Sequence, residues 1–267
     1  NDLVPGEYTV TENAAAFYEP QTPQTVTVKA GQTAEVSFSN QLKRGTLEVI
    51  KTAEDGFVQG VTFRLSGTAD CGQSVDEYAK TDESGIAVFE NIPIGSNYTL
   101  AEVAVPERYV EVAPQNVRIA WNEVTKQTVE NRLVRGSIRG IKVGEAEKPL
   151  PGAVFGLFAE GMTEFTKENA LSTTFSDASG AFHFADVVFG NYLVREIASP
   201  AGYVLSDEIF VVQITENSSE IELGNLENKP IIGELELTKL DVSTGKPLPN
   251  AGFRIKDTEG NTVVEGY

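Results

Sequence analysis

The sequence predicts an all-β protein built as a tandem array of β-sandwiches, and three observations lead to this prediction. A junction motif, with Gly five residues and Lys eleven residues after an Asn, occurs at residues 40–51, 131–142 and 228–239. Self-similarity at a period of roughly 90–100 residues is typical of tandem domains. Short alternating polar and apolar segments are separated by turn-forming clusters. No stretch shows a sustained helical period.

Two complete units are predicted between these junctions. Residues 45–135 contain six short alternating segments, and their only irregular part is a polar loop, 66–80, running from Ser66 to Lys80. Residues 136–232 repeat the same order of segments and turns. Several short strands separated by regular turns indicate a sandwich in each unit.

Two partial units are predicted at the ends of the sequence. Residues 1–44 are interpreted as the C-terminal half of a unit, with strands around 25–28 and 34–40 forming a hairpin. Residues 233–267 restart the pattern as an N-terminal half, beginning with a strand at 235–239. We therefore expect an interior piece of a longer array.

Composition excludes several classes of function. The formal charge is −18, with the acidic residues spread along the chain, whereas nucleic acids and anionic membranes require basic patches. No apolar run approaches the ~20 residues of a membrane span, so no membrane insertion is expected in this segment. Cys71 is the only cysteine, which excludes an intrachain disulfide. No cofactor site, metal cluster or catalytic His set is recognised, and His183 is expected on a solvent face.

Strand parity places three polar residue types on the apolar face of each unit. Side chains two apart on a strand share a face, so the polar residue at each strand end follows the buried register. The residues are a Lys ending the first strand (Lys51, Lys142, Lys239), a Glu ending the Tyr-containing strand (Glu12, Glu102, Glu196) and an Asn ending the last strand (Asn40, Asn131, Asn228). Isolated buried charges are costly, so these residues are expected to be partners.

Lys, Glu and Asn together predict a covalent cross-link. Burial favours the neutral, nucleophilic amine of Lys, and a carboxamide is an electrophile with ammonia as its leaving group. A protonated Glu between them would polarise the amide carbonyl and move protons. The product is an intramolecular isopeptide bond, a single turnover rather than enzymatic catalysis. Closing the ~80-residue loop from Lys51 to Asn131 would stabilise a unit by roughly 4–5 kcal/mol.

Several motifs resemble the Cna B-type (SpaA-like, prealbumin-like) domains of Gram-positive pilins and cell-wall adhesins. They are Lys239-Leu240-Asp241, the T-G-x-x-L-x-x-A-x-F run at 244–253, the Y-x-L-x-E box ending in Glu102 (Y-x-V-x-E at Glu196), and Pro200-Ala201-Gly202-Tyr203. The sequence departs from this pattern at Arg108, which stands where the last motif has Gly, and Lys51 and Lys142 are not followed by x-Asp.

The resemblance implies immunoglobulin-like sandwiches of about seven strands arranged as an elongated rod. It implies Lys–Asn bonds assisted by Glu in the sets Lys51–Glu102–Asn131 and Lys142–Glu196–Asn228. Glu12, Asn40 and Lys239 are then counterparts in incomplete units. Attachment to the cell wall by sortase, and an extracellular location, follow from the resemblance alone.

Three functional hypotheses follow. The first is a stalk segment of a Gram-positive surface protein or pilus, whose partners are the neighbouring repeats of its own chain. The alternative is an adhesin module that binds a host protein or glycan through exposed loops, residues 66–80 foremost. In the third, Lys239 of one copy pairs with Glu12 and Asn40 of another, joining molecules head to tail.

Overall fold

The computed structural model describes residues 3–13 and 15–266 and confirms the predicted fold class. The chain is almost entirely β-structure, with two tandem sandwiches between shorter terminal segments. Residues 1, 2, 14 and 267, which fall in the predicted terminal halves, lie outside the described residues. Among the described residues, no helix has the length and apolar character needed to cross a membrane.

The first sandwich has seven strands. They are β3 (Arg44–Ala53), β4 (Thr62–Thr68), β5 (Ser74–Lys80), β6 (Ile86–Pro93), β7 (Gly95–Val103), β8 (Gln115–Ile119) and β9 (Val124–Asn131). One sheet has the order β6-β3-β9 and the other β5-β4-β7-β8. Alternate residues of both sheets, among them Leu47, Phe63 and Leu100, meet in one buried core. This is the period-2 pattern expected of a sheet with one buried face.

The second sandwich repeats this topology. Its strands are β10 (Arg135–Val143), β11 (Val154–Ala159), β12 (Ser172–Phe175), β13 (Ala181–Val188), β14 (Gly190–Ala198), β15 (Ile209–Ile214) and β16 (Ser219–Glu227), with a short 3-10 turn at Glu145–Glu147. The sheet orders are β13-β10-β16 and β12-β11-β14-β15. Phe155 and Phe182 stack across the core with ring centroids 3.8 Å apart.

The first and last strands of each sandwich are parallel neighbours. In the first sandwich β3 pairs with β9, with Lys51 beside Val129 and Ala53 beside Asn131. In the second, β10 pairs with β16 in the same sense. Parallel pairing brings the C-terminal ends of both strands to the same end of the sheet, and these ends carry the predicted Lys and Asn.

The predicted loop from Ser66 to Lys80 is wrong. The segment forms a hairpin in which β4 and β5 pair antiparallel around a tight turn at 69–73, with Gly72 in the left-handed region (φ 87°). The sequence does not predict this strand because β5 lies at the edge of its sheet. Only Val75 of its side chains is buried, so the apolar alternation is weak.

Strands predicted in the terminal segments also differ. The strand β1 (Gly6–Val10) pairs with β2 (Gln24–Val28), whereas residues 34–40 form no strand and no hairpin with β2. Residues 235–239 are likewise irregular and exposed, and the C-terminal segment contains only β17 (Phe253–Lys256) and β18 (Thr262–Gly266). In the two sandwiches the equivalents of 34–40 and 235–239 are each other's parallel partners, whereas neither terminal segment is paired as a strand within the described residues.

Candidate functional site

In each sandwich, one buried lysine lies near the end of the central strand of the three-stranded sheet. Lys51 on β3 is 2% exposed and Lys142 on β10 is 1% exposed. Lys51 continues the inward register of Leu47 and Val49, so its burial follows from strand parity. In β10 the corresponding register contains Gly140, where a Cβ would come within 2.7 Å of the Phe182 ring.

The glutamates face these lysines from the opposite sheet, and the asparagines lie at the end of the last strand. Asn131 is fully buried, and its Nδ2 donates to Oε1 of Glu102 at 3.0 Å. Asn228 Nδ2 donates to Oε1 of Glu196 at 2.8 Å. Each predicted Glu–Asn pair is therefore in direct contact, although its members are about 30 residues apart.

In the second sandwich Glu196 joins all the members of the set. Its Oε2 lies 3.3 Å from Lys142 Nζ, and both side chains are 1% exposed. The same oxygen accepts the backbone N–H of Ser206 at 3.1 Å. The Glu196 carboxyl group is thus contacted by the Lys142 amine, the Asn228 amide and a backbone N–H, while Asn228 Oδ1 is buried with no hydrogen-bond partner among the described residues.

In the first sandwich the lysine is held differently. Lys51 Nζ donates to the backbone oxygen of Thr52 at 2.5 Å and lies 5.9 Å from the ring centre of Tyr109. Within the part of the chain that the structure describes, Glu102 accepts a hydrogen bond from Asn131 but forms no ion pair. Oε2 of Glu102 and Oδ1 of Asn131 are buried without a partner there. The structure therefore brings Glu102 and Asn131 together, whereas the Lys51 amine is bound to a backbone oxygen.

Burial lowers the pKa of both lysine amines. Removal from water lowers the pKa of Lys51 below 10.5, against the opposing charges of Glu102, Asp55 and Glu130. It also lowers the pKa of Lys142 below 10.5, against the charges of Glu196 and Glu208. A lowered pKa makes the neutral amine, which is the nucleophilic form, more accessible at neutral pH.

Sequence analysis missed two groups at these sites. Tyr109 covers Lys51, with its hydroxyl donating to Asp55 Oδ1 at 2.6 Å and the Arg108 guanidinium 4.6 Å from its ring centre. Burial and the Asp55 hydrogen bond raise the pKa of Tyr109 to about 12. The Pro-x-x-Tyr motif could have indicated this tyrosine. The Ser206 contact uses a backbone N–H and leaves no signal in residue type.

The counterparts in the terminal segments are only partly brought together. Asn40 Nδ2 donates to Glu12 Oε1 at 2.6 Å, which reproduces the Glu–Asn contact of the sandwiches at an exposed position. Lys239 is exposed on an irregular segment. His183 lies on the exposed face of β13, and no group of metal-binding side chains is found within residues 3–13 and 15–266.

Comparison with known proteins agrees with this architecture. The family model of the SpaA prealbumin-like fold domain matches twice, at residues 45–133 and 136–228. These ranges span more than half of the chain and coincide with the two sandwiches. No match was found among curated proteins.

The solved structures similar to this chain include the Bacillus anthracis TIE protein, with a TM-score of 0.70 and 28% identity. That similarity covers 92% of this chain but only 44% of the TIE chain. A C-terminal fragment of the pilus adhesin SpaC from Lactobacillus rhamnosus GG is 16% identical, with a TM-score of 0.47, over 72% of this chain and 100% of the fragment. The minor pilin GBS52 of Streptococcus agalactiae is 18% identical, with a TM-score of 0.35, over 73% and 100% of the respective chains.

Two seven-stranded sandwiches with parallel first and last strands, each matched by the same family model, lead to one assignment. The chain belongs to the SpaA family of prealbumin-like fold domains.

Proposed function

We propose that this chain is a load-bearing stalk segment of a Gram-positive cell-surface protein, with each complete unit closed by an isopeptide bond. The observation that carries the proposal is the recurrence of a Lys–Glu–Asn set at the same place in both sandwiches, with Lys on the first strand and Asn at the end of the last. Every member is buried except Glu102, which is partly exposed. The boundaries 45–135 and 136–232 of the two units are part of the proposal, as is the extracellular location.

The proposed reaction is balanced within each set. The neutral Lys Nζ attacks Cγ of Asn, a C–N bond forms, and the Asn Nδ2 leaves as ammonia. Glu carries the proton of the amine to the departing nitrogen and polarises the carbonyl while protonated. Lys51–Asn131 with Glu102, and Lys142–Asn228 with Glu196, are the two sets.

The position of the bond explains why it would serve a stalk. A pulling force enters a unit at the start of its first strand and leaves at the end of its last strand. A bond from Lys51 to Asn131 passes that force directly between β3 and β9, and the intervening residues 52–130 carry no load. The parallel pairing of β3 and β9 supplies this geometry.

Contacts at the junction support a stiff array. The strand β9 ends at Asn131 and β10 begins at Arg135, which leaves no flexible linker. Arg135 joins Glu54 of the first unit (Nη1–Oε2 2.7 Å) to Asp186 of the second (Nε–Oδ1 2.9 Å). Val110 of the first unit packs against the core of the second. The neighbouring repeats are therefore the proposed partners of each unit.

The adhesin alternative is weakened by the hairpin. Its foremost candidate among the exposed loops was residues 66–80, and these residues are instead the end of β4, a five-residue turn and the edge strand β5. No other observation favours a host ligand, so the stalk is the function that we propose.

The test is the intact mass of the denatured chain, followed by peptide mapping. A deficit of two ammonia molecules, with Lys51 joined to Asn131 and Lys142 to Asn228, is the expected result. Glu102→Ala should restore one ammonia mass and Glu196→Ala the other, while Glu130→Ala, an exposed carboxylate beside Asn131, should leave the deficit unchanged. The full unmodified mass would overturn the proposal.

A further inference from the structure

The two glutamates differ in the contacts of their second carboxylate oxygen. Oε2 of Glu196 accepts the backbone N–H of Ser206 at 3.1 Å and lies 3.3 Å from Lys142 Nζ. Oε2 of Glu102 is buried with no partner. The residue ten positions after Glu102, where Ser206 stands relative to Glu196, is Val112, whose side chain packs against the first core.

Ser206 lies in a loop that internal hydrogen bonds hold in place. The chain turns after Pro200, and Ser199 Oγ donates to the backbone oxygen of Tyr203 at 2.9 Å. Val204 N–H donates to the backbone oxygen of Lys229, one residue after Asn228. The loop that supplies the Ser206 N–H is therefore tied to the end of the last strand.

The two glutamates therefore meet different numbers of hydrogen-bond donors. Glu196 as a carboxylate has a donor for each oxygen, so the charged Lys142–Glu196 pair is satisfied. A hydrogen bond to a charged group stabilises that charged form. In the first unit Lys51 donates to Thr52 instead, and the Glu102 carboxylate has no donor to its second oxygen.

Building on the function proposed above, we propose that the backbone N–H of Ser206 is a positioning group that holds Glu196 as a carboxylate against Lys142 and thereby slows isopeptide formation in the second unit. The reaction requires a proton to pass from Lys142 Nζ to Glu196, leaving a neutral amine and a carboxylic acid. The Ser206 hydrogen bond is weakened when Glu196 takes this proton. The first unit has no equivalent bond to give up.

The test removes the N–H without changing the shape of the loop. Cell-free translation provides newly made chain for a time course and accepts lactic acid in place of alanine at position 206, which replaces the N–H by an ester oxygen. Ser206→Ala keeps the N–H and is the matched control. Samples are quenched in acid, digested, and the cross-linked peptides of the two units are quantified by mass spectrometry.

The expected result is that the ester raises the rate of Lys142–Asn228 bond formation about tenfold over Ser206→Ala, the factor of one hydrogen bond to a charged group. The rate of the Lys51–Asn131 bond in the same chains should not change. Acceleration is a result that a merely structural role would not produce, since a loosened loop slows the reaction. The comparison is made within one unit, so the order of synthesis does not affect it.

An equal or slower rate with the ester would overturn the inference while leaving the proposed function intact. Absence of cross-linked peptide from both units in the unsubstituted chain would instead overturn the proposed function itself.

Discussion

The two sandwiches carry the same three residue types on equivalent strands yet hold the lysine in different ways. Lys142 is paired with Glu196 inside a set whose carboxylate is fully hydrogen-bonded. Lys51 donates to a backbone oxygen, and Glu102 keeps an unsatisfied oxygen. A shared motif thus places the same residue types at equivalent positions, while the surrounding backbone determines which partners each of them meets.

The equivalent tyrosines of the two units, Tyr109 and Tyr203, also make different contacts. In the first unit Tyr109 is held over Lys51 by Asp55 and Arg108. In the second unit the equivalent Tyr203 packs against Gly144, where a Cβ would come within 3.0 Å of the ring. The Arg at 108, a departure from the family pattern, has a role in the first unit because it ion-pairs with Asp55 at 2.9 Å.

The largest effect that we expect comes from removing the proposed isopeptide bonds, and it should be similar in both units. Asn131→Ala or Asn228→Ala eliminates one cross-link and should lower the stability of its unit by roughly 4–5 kcal/mol, because each bond closes a loop of about 80 residues. Guanidinium unfolding followed by Trp121 fluorescence reports the first unit, and hydrogen exchange reports the second.

Asn191→Ala, an exposed asparagine in the second unit, is the control and should change little. If Asn131→Ala or Asn228→Ala lowers the free energy of unfolding of its unit by less than about 1 kcal/mol, loop closure is contradicted as the source of stability.

The second-largest effect should distinguish the two units by the loss of stability when the buried lysine is replaced. In the Asn228→Ala background, Lys142→Met leaves Glu196 buried without its ion pair and should lower the free energy of unfolding by about 3–5 kcal/mol. In the Asn131→Ala background, Lys51→Met removes a buried amine that has no carboxylate partner and should be nearly neutral. Unfolding of both chains in guanidinium gives the comparison.

Lys126→Met, an exposed lysine paired with Glu48, controls for the loss of a surface charge. Equal costs for Lys142→Met and Lys51→Met would mean that the two sets are held in the same charge state.

A pH dependence should appear only when the bonds are absent. In the double variant Asn131→Ala/Asn228→Ala both lysines are free, and burial lowers the pKa of each below 10.5. The unfolded chain then binds more protons than the folded chain between the lowered pKa values and 10.5, so stability should rise with pH across that window. Urea unfolding from pH 7 to pH 10 measures this slope.

The unsubstituted chain is the reference, because an isopeptide nitrogen does not titrate. The same slope in the cross-linked and uncross-linked chains would show that groups other than Lys51 and Lys142 cause it.

The smallest effect concerns the junction and tests whether the two sites are independent. Arg135→Ala removes the ion pairs with the partly exposed Glu54 and the exposed Asp186, and it should lower the free energy of unfolding by only about 0.2–1 kcal/mol, the usual value for such pairs. It should nevertheless broaden the distribution of distances between spin labels placed in the two units.

Arg139→Ala is the matched control, since Arg139 pairs with Glu220 and Glu222 inside the second unit. Equal broadening by both variants would contradict a role for Arg135 in coupling the units. A changed cross-linking rate in Arg135→Ala would show that the junction acts on the sites.

Much of the site could be predicted from the sequence because strand parity is a local property. The buried positions of Lys51, Lys142 and Asn131 follow from alternation with neighbouring apolar residues, and the repeat shows which strands are equivalent. The sandwich class follows from the same alternation. The edge strand β5 was missed because one solvated edge with a single buried side chain carries little alternation.

Pairing and hydrogen bonding were decided only by the tertiary structure. Residues 34–40 and 235–239 alternate as strands should, yet neither is a strand, because a strand requires a pairing partner and neither segment has one within the described residues. The Ser206 N–H reaches Glu196 from a loop that returns to the end of the last strand. The loop of the first unit returns in the same way, through Val110 N–H and the Arg132 oxygen, yet no N–H of the described residues reaches Oε2 of Glu102. Alternation along the chain determined which residues face the core, whereas contacts between distant segments determined which groups each charge meets, since backbone donors are the same in every residue type except proline.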